Sequence, residues 1–298
     1  MGKIYEGIMG LVVGDALGVP VEFKTRDTYQ ITTMTGYGTY NQPIGTWSDD
    51  SSMVLATLES IGRLGRIEPE DIMNNFCKWY VHGDFTPYGI AFDIGGTTRK
   101  AIVRFATGCS VYECGGRTIT DNGNGALMRI LPVIFAPHSI PTIRNVYSVG
   151  ALTHGHHISQ TACVKYIDIA HQLLNGEDLK KAIERNLEPV ECVPEFDRLL
   201  AVPYLKRDEI KSTGYVVDTL EAALWCLWNT DNYKDCVLEA VNLGNDTDTI
   251  AAVAGGLAGI YYGVGGEKGI PEEWIDQIAR KDWIKELCDS VERGMPVE

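Results

Sequence analysis

Residues 7–22 read GIMGLVVGDALGVPVE, an apolar run in which glycine returns at every third or fourth position. An α-helix repeats every 3.6 residues, so Gly7, Gly10, Gly14 and Gly18 would share one face that carries almost no side chains. Each of these glycines costs a helix about 0.5–1 kcal/mol relative to alanine, so a compensating contact is needed. We interpret the face as a site of close helix packing. A backbone that passes near a ligand or metal site is the alternative.

Helical spacing of apolar residues continues through most of the chain. It is clear in three further stretches, residues 69–80, 217–228 and 237–241. Residues 178–188 predict a charged surface helix, and only residues 29–34 alternate in the way that is typical of a strand. No linker, low-complexity segment or fixed-period repeat divides the sequence. We therefore expect an all-α protein with a single domain over residues 1–298.

The composition narrows the classes of partner. The 298 residues carry a formal net charge of −14, which argues against a nucleic-acid backbone as the main partner. The same charge means that an anionic ligand would need a local cation. The eight cysteines form no C-x-x-C pair and no secretory leader is visible, so we expect reduced thiols in the cytoplasm. The longest weakly polar stretch, 250–264, is too short and glycine-rich to span a membrane, so we expect a soluble protein without a membrane partner.

Two acidic segments each precede an apolar helical run. Residues 45–52 read GTWSDDSS and residues 245–249 read NDTDT. Such residues are preferred helix N-caps, so capping alone could explain either segment. Capping needs only one side chain, however, and neighbouring carboxylates repel each other unless a cation or a proton lies between them. If the two helix starts face each other, their oxygens would suit Mg²⁺ or Mn²⁺ better than zinc, and so many carboxylates indicate two ions.

Two glycine-rich loops and a histidine cluster complete the polar motifs. Residues 93–99 read DIGGTTR and residues 121–129 read DNGNGALMR. Backbone N–H groups in such loops, or at the helix starts behind them, can hold phosphate, although a plain turn is the default interpretation. Residues 153–157 read THGHH, a spacing that fits no standard zinc motif. We therefore expect one histidine to contact a ligand and the others to be structural.

Taken in order, these segments resemble the ADP-ribosylglycohydrolase family. The matching pieces lie within positions 14–249 and are residues 14–22, 47–51, the loop from Asp93, 123–129, 153–155 and 244–249. The resemblance implies a compact, orthogonal all-α domain. It also implies a metal-dependent hydrolase that cleaves the N- or O-glycosidic bond between ADP-ribose and a modified target. ADP-ribosylarginine on a protein is the expected substrate, and two divalent cations, Mg²⁺ or Mn²⁺, are the expected cofactors. The expected partner is an ADP-ribosylated protein or another ADP-ribosyl conjugate.

The resemblance also implies roles for individual residues. Metal binding carries over to Ser48, Asp49, Asp50, Asp246, Asp248 and Thr249. Catalysis carries over to Asp93, Glu22 and Asp248, with Glu22 at the gating position near the first metal. Binding of the ribose and diphosphate carries over to Gly95, Gly96, Thr97, Gly123, Asn124, Gly125, Met128 and His154.

Two positions depart from the family pattern. Residues 48–51 read SDDS where Thr-Asp-Asp-Thr is common, and serine keeps the hydroxyl group. Gly96 stands where a member of the family has asparagine, which removes one polar contact beside Asp93.

Two other functions remain compatible with the sequence. One is a non-catalytic module that binds ADP-ribose without cleaving it, as crystallin or immunity proteins of this kind would. The other is a Mg²⁺-dependent phosphohydrolase that uses the same acids. Release of phosphate or of ADP-ribose would separate these alternatives.

Overall fold

The computed structural model describes residues 2–136 and 143–294. These residues form twelve α-helices, which are α1 (Lys3–Gly18), α2 (Asp49–Leu64), α3 (Pro69–His82), α4 (Gly96–Ala106), α5 (Ile143–Gly150), α6 (His157–Leu174), α7 (Leu179–Asn186), α8 (Val216–Asn229), α9 (Tyr233–Val241), α10 (Thr247–Tyr262), α11 (Glu272–Ile275) and α12 (Lys281–Glu292). Shorter 3-10 segments are Val19–Val21, Gly38–Tyr40, Ile119–Asp121, Leu127–Arg129, Leu131–Phe135, Pro194–Tyr204 and Arg207–Glu209. Within the described ranges β pairing is limited to isolated bridges, so the all-α prediction is confirmed.

The helices predicted from apolar spacing are present. They are residues 69–80 within α3, 217–228 within α8 and 237–241 at the end of α9. The charged stretch 178–188 contains α7, and Asp178 caps it by accepting hydrogen bonds from the backbone N–H groups of Lys180 and Lys181. Local patterning therefore locates these four helices.

The prediction of a strand at residues 29–34 is wrong, because this stretch is a loop. Ile31 and Met34 are buried, which explains the apolar half of the alternation. The backbone groups of Ile31 pair with one side chain instead of a second strand. The N–H donates to Asn242 Oδ1 at 2.8 Å, and the carbonyl accepts from Asn242 Nδ2 at 2.9 Å.

The glycine face of α1 packs closely on another helix, as predicted, and that helix is α10. A Cβ atom at Gly10 would lie 2.4 Å from the carbonyl oxygen of Gly255, and one at Gly14 would lie 2.1 Å from that of Ala251. A Cβ at Gly18 would lie 2.3 Å from Cα of Asp248. Close helix packing is therefore confirmed, and at Gly18 the same face lies against the start of the second acidic segment.

One helical segment, Lys3–Val21, is long and apolar enough to cross a membrane by length and composition alone. Of this window 94% is buried inside the fold, which is typical of a core helix in a globular protein. The expectation that 250–264 is the longest weakly polar stretch is therefore wrong, because Lys3–Val21 is longer. The buried apolar side chains of the described residues form one cluster. That residues 1–298 form a single domain stays a prediction.

Candidate active site

The first acidic segment forms the start of α2. Ser48 is the N-cap, and its Oγ accepts a hydrogen bond from the backbone N–H of Asp50 at 3.3 Å. Asp49 and Asp50 occupy the first turn, where the helix dipole favours negative charge. Both aspartates are buried, with 5% and 1% of their surface exposed. Capping explains why the helix starts here but does not require two buried acids.

The second acidic segment forms the start of α10. Asp246 is the N-cap, and Asp248 and Thr249 follow in the first turn. The Thr247 hydroxyl donates to the carbonyl of Gly18 at 2.9 Å, which fixes this turn against the end of α1. Asp248 is fully buried, and its Oδ1 accepts from the backbone N–H of Thr249 at 2.9 Å.

The two acidic segments meet. The Thr249 hydroxyl donates to Asp50 Oδ2 at 3.3 Å, across 199 positions of sequence. Three carboxylate oxygens, one each from Asp15, Asp50 and Asp248, all lie within 4.8 Å of one another. Glu22, Asp93 and Asp248 form a second group of the same kind, so Asp248 belongs to both.

The electrostatics of this cluster favour a bound proton or a bound cation. Burial raises the pKa of Asp49, Asp50 and Asp248 well above the usual value. Burial and then the charge of Asp93 raise the pKa of Glu22 to about 10. None of the ion pairs formed by residues 2–136 and 143–294 includes one of these acids.

Unpaired oxygens at the same place also fit a metal. In the described part of the chain, buried Asp50 Oδ1, Asp248 Oδ2 and Glu22 Oε2 have no hydrogen-bond partner. A buried acceptor without a partner is costly, and a hard divalent ion would satisfy such oxygens. The donor set around them contains only oxygen, which suits Mg²⁺ or Mn²⁺.

Asp15 is a site residue to which the sequence motifs assign no role. Its Oδ1 accepts from the backbone N–H of Ser48 at 3.0 Å, and its Oδ2 accepts from the Ser51 hydroxyl at 2.6 Å. Burial raises its pKa to about 6, and these hydrogen bonds oppose the shift. Asp15 therefore ties α1 to the start of α2. An acid inside an apolar helix was the signal in the sequence.

A cavity of about 260 Å³ opens above the acids. All eight positions predicted to bind substrate line it, together with Glu22, Asp49, Asp93, Asp246 and Thr249. Ser48, Asp50 and Asp248 are buried and are not part of the lining. Three lining residues were not foreseen, and these are Phe23, Thr98 and Gly214.

The start of α4 forms one wall of the cavity. Gly95 is the N-cap, and the N–H groups of residues 96–98 have no acceptor within the helix. A Cβ at Gly96 would meet no heavy atom within 4 Å, so the wall is open at the position where a family member has asparagine. Asp93 precedes this helix with φ of +63°, a conformation that costs a non-glycine residue about 1 kcal/mol or more. The Tyr40 hydroxyl donates to Asp93 Oδ1.

The loop at Gly123 and Gly125 forms another part of the wall, next to Thr98 of α4. A Cβ at Gly125 would lie 2.8 Å from His154 Cε1 and 2.9 Å from Thr98 Oγ1, so only glycine fits there without displacement. Asn124 lies in this wall, but its Nδ2 donates to Asp246 Oδ2 at 2.7 Å and to Thr219 Oγ1 at 2.9 Å. The amide of Asn124 thus orients one of the predicted metal ligands.

Phe23 marks the rim of the cavity. It has 68% of its surface exposed and adopts φ of +63°, and its backbone N–H donates to the Asn245 carbonyl at 2.6 Å. Its ring lies 6.4 Å from that of Tyr40, measured between centroids. The rim of the cavity therefore carries aromatic rings, whereas its floor carries carboxylates.

Similar proteins are known along the whole chain. A model of the ADP-ribosylglycohydrolase family matches residues 1–297. ADP-ribosylarginine hydrolase Tri1 of Serratia proteamaculans is 35% identical over 302 residues, which cover 100% of this chain and 81% of that protein. The ADP-ribosyl-dinitrogen reductase glycohydrolase of Rhodospirillum rubrum is 34% identical over 283 residues, which cover 92% of this chain and 89% of the relative.

A solved structure described as an ADP-ribosylglycohydrolase-related protein complex has the same fold. It superposes with a TM-score of 0.84 at 29% identity, over 98% of this chain and 97% of that one. The match of the family model and the shared fold lead to one conclusion: the chain belongs to the ADP-ribosylglycohydrolase family and is an enzyme of that type.

Proposed function

We propose that this enzyme is a divalent-cation-dependent hydrolase that releases ADP-ribose from arginine side chains of modified proteins. The observation that carries the proposal is the meeting of two acidic helix starts beneath a glycine-lined cavity, where buried carboxylate oxygens lack partners. Two relatives at 34–35% identity are named for ADP-ribosylarginine and for ADP-ribosyl-dinitrogen reductase, which supports a protein substrate with this linkage.

The cations would be held by oxygens of both helix starts. The proposed ligands are Ser48, Asp49, Asp50, Asp246, Asp248 and Thr249. Two bound divalent ions would orient ribose hydroxyls and make a bound water more acidic. Asp15 and Asn124 hold these ligands in place, because each forms hydrogen bonds to one of the two segments.

The walls of the cavity suit the diphosphate. Free N–H groups at the start of α4 attract anions, and the helix dipole adds to this attraction. Gly123 and Gly125 carry no side chain at the cavity wall, which lets the backbone lie close to a ligand.

Glu22 and Asp93 are the residues that we propose to move protons. Both line the cavity, and each places a carboxylate oxygen within 4.8 Å of Asp248. The Tyr40 hydroxyl holds the Asp93 carboxyl in one orientation. A carboxyl group acts on a glycosidic bond only within hydrogen-bond reach, so the proposal requires the ribose to bind beside these two carboxyl groups.

A panel of ADP-ribosyl linkages tests the proposal. The protein is incubated with Mg²⁺ or Mn²⁺ and with ADP-ribose joined to arginine, serine or a nucleic-acid base. We expect release of intact ADP-ribose from the arginine conjugate, detected by mass spectrometry. Cleavage of another linkage in preference to arginine would contradict the proposed substrate.

The same panel separates the remaining alternatives. Release of inorganic phosphate from nucleotides, without free ADP-ribose, would favour the phosphohydrolase. The non-catalytic module is not retained, because the relatives are named as hydrolases. The cytoplasmic location stays a prediction.

A further inference from the structure

Arg129 is a fully buried cation that the proposed reaction does not use. Its Nη2 donates to Thr153 Oγ1 at 2.7 Å, and its Nη1 donates to the Val149 carbonyl at 3.2 Å. A guanidinium group carries only donors, so Thr153 Oγ1 must be the acceptor in this contact.

The Thr153 hydroxyl therefore has its hydrogen available for the neighbouring ring. Thr153 Oγ1 lies 2.8 Å from Nδ1 of His154, and among the described residues this nitrogen is the only acceptor paired with the hydroxyl. A buried hydroxyl hydrogen without an acceptor is costly. Nδ1 thus accepts from Thr153, and a neutral ring then carries its proton on Nε2.

Nε2 of His154 faces the cavity. It lies 3.5 Å from the positions that Cβ atoms of Gly123 and Gly125 would occupy, and His154 belongs to the lining. No residue in 2–136 or 143–294 accepts a hydrogen bond from Nε2. The backbone on either side is held in place, since Gly116 N–H donates to the Thr153 carbonyl at 2.9 Å and Gln160 donates to the His154 carbonyl.

The surroundings of His154 keep the ring neutral. Burial, followed by the charge of Arg129, lowers the pKa of His154 to about 3, and Asp121 opposes this shift. The cation beneath Thr153 thus disfavours a second proton on the ring.

We infer that Arg129 and Thr153 are positioning residues that fix His154 as a neutral donor, with its Nε2–H aimed at an acceptor oxygen of the ligand. The ligand is ADP-ribose if the proposed function is correct, so that part of the inference rests on it. The tautomer itself depends only on the buried contacts.

Nitrogen NMR of the whole protein labelled at histidine tests the tautomer. The signals of His154 are assigned by their loss in H154Q. We expect Nε2–H and an unprotonated Nδ1 from about pH 5.5 to about pH 8, a range in which free imidazole titrates. An Nδ1–H tautomer, or a charged ring near pH 6, would overturn the inference. The wild-type spectrum decides this even if a variant does not fold.

A matched pair of substitutions tests the role of the hydroxyl. T153V keeps the side-chain shape and removes the hydroxyl, whereas T153S retains it. We expect T153V to populate both tautomers of His154 and to weaken ADP-ribose binding, measured by calorimetry, about tenfold. T153S should keep the wild-type tautomer and the wild-type affinity. Equal affinity and equal spectra for the pair would overturn the positioning role. If His154 has the expected tautomer but the protein does not bind ADP-ribose, the result would support the positioning of His154 by Arg129 and Thr153 and would contradict the proposed function.

Discussion

At the scale of single residues, Gly125 shows how the cavity depends on a missing side chain. An alanine there would place Cβ 2.8 Å from the His154 ring. We expect G125A to displace the ring and to lower kcat/KM for ADP-ribose release about tenfold or more, because small misplacements of binding groups are costly. G96A is the matched control, since a Cβ at Gly96 meets open space in the same cavity. Equal activity of the two variants would contradict this account.

Asn124 gives a second prediction at this scale. Its amide donates to Asp246 Oδ2 at 2.7 Å, so N124A leaves that carboxylate without its partner. We expect the affinity for Mn²⁺, measured by calorimetry, to fall about 10–100-fold. T97A, at another lining residue, is the control and should bind Mn²⁺ like the wild type. Unchanged affinity in N124A would show that the amide does not position the ligand.

Sequence reasoning found the acids but not their supports. Residue type and spacing identify Asp49, Asp50 and Asp248, because neighbouring carboxylates at a helix start exceed what capping needs. The supporting roles of Asp15 and Asn124 depend on partners 33 and 122 positions away. Local patterns carry no information on such contacts.

At the scale of helices, the contact between α1 and α10 sets the position of both acidic segments. A Cβ at Gly14 would lie 2.1 Å from a backbone oxygen of α10, whereas one at Gly7 would lie 2.9 Å from the side chain of Ile260. Backbone cannot move aside as a side chain can. We expect G14A to lower the free energy of unfolding by about 1–3 kcal/mol or more and G7A to lower it less, measured in urea. The reverse order would contradict backbone packing.

Helix prediction succeeded where the pattern arose from one buried face, as in α3. It failed at residues 29–34, where burial of Ile31 and Met34 imitates a strand while Asn242 supplies the backbone hydrogen bonds. The glycine face of α1 predicted close packing. It could not identify α10 as the neighbour, because α10 begins at Thr247, far along the chain.

For the whole molecule, the buried acids predict that stability falls as pH rises, the opposite of what carboxylates with lowered pKa values would give. Their pKa values are raised in the folded protein, so the folded state holds more protons than the unfolded state, and stability falls as pH rises. For Glu22 the window runs from the ordinary glutamate pKa of 4.5 to about 10. In EDTA we therefore expect Tm to fall from about pH 5 to about pH 9, and Mg²⁺ or Mn²⁺ to reduce the fall.

D248N is the variant that checks this explanation. It removes one buried charge from the cluster, so in EDTA at high pH it should melt above the wild type while losing activity. A wild-type Tm that rises with pH in EDTA would contradict the assigned burial of the acids.

We propose that the acidic cluster is a cation-dependent hydrolytic centre, and this claim is tested by restoring metal to stripped protein. The protein is treated with EDTA, and release of ADP-ribose from ADP-ribosylarginine is followed as Mg²⁺ or Mn²⁺ is restored. We predict no turnover in EDTA and full recovery as the cations bind, with D50N and D248N inactive throughout. Full activity of the wild type in excess EDTA would contradict the claim.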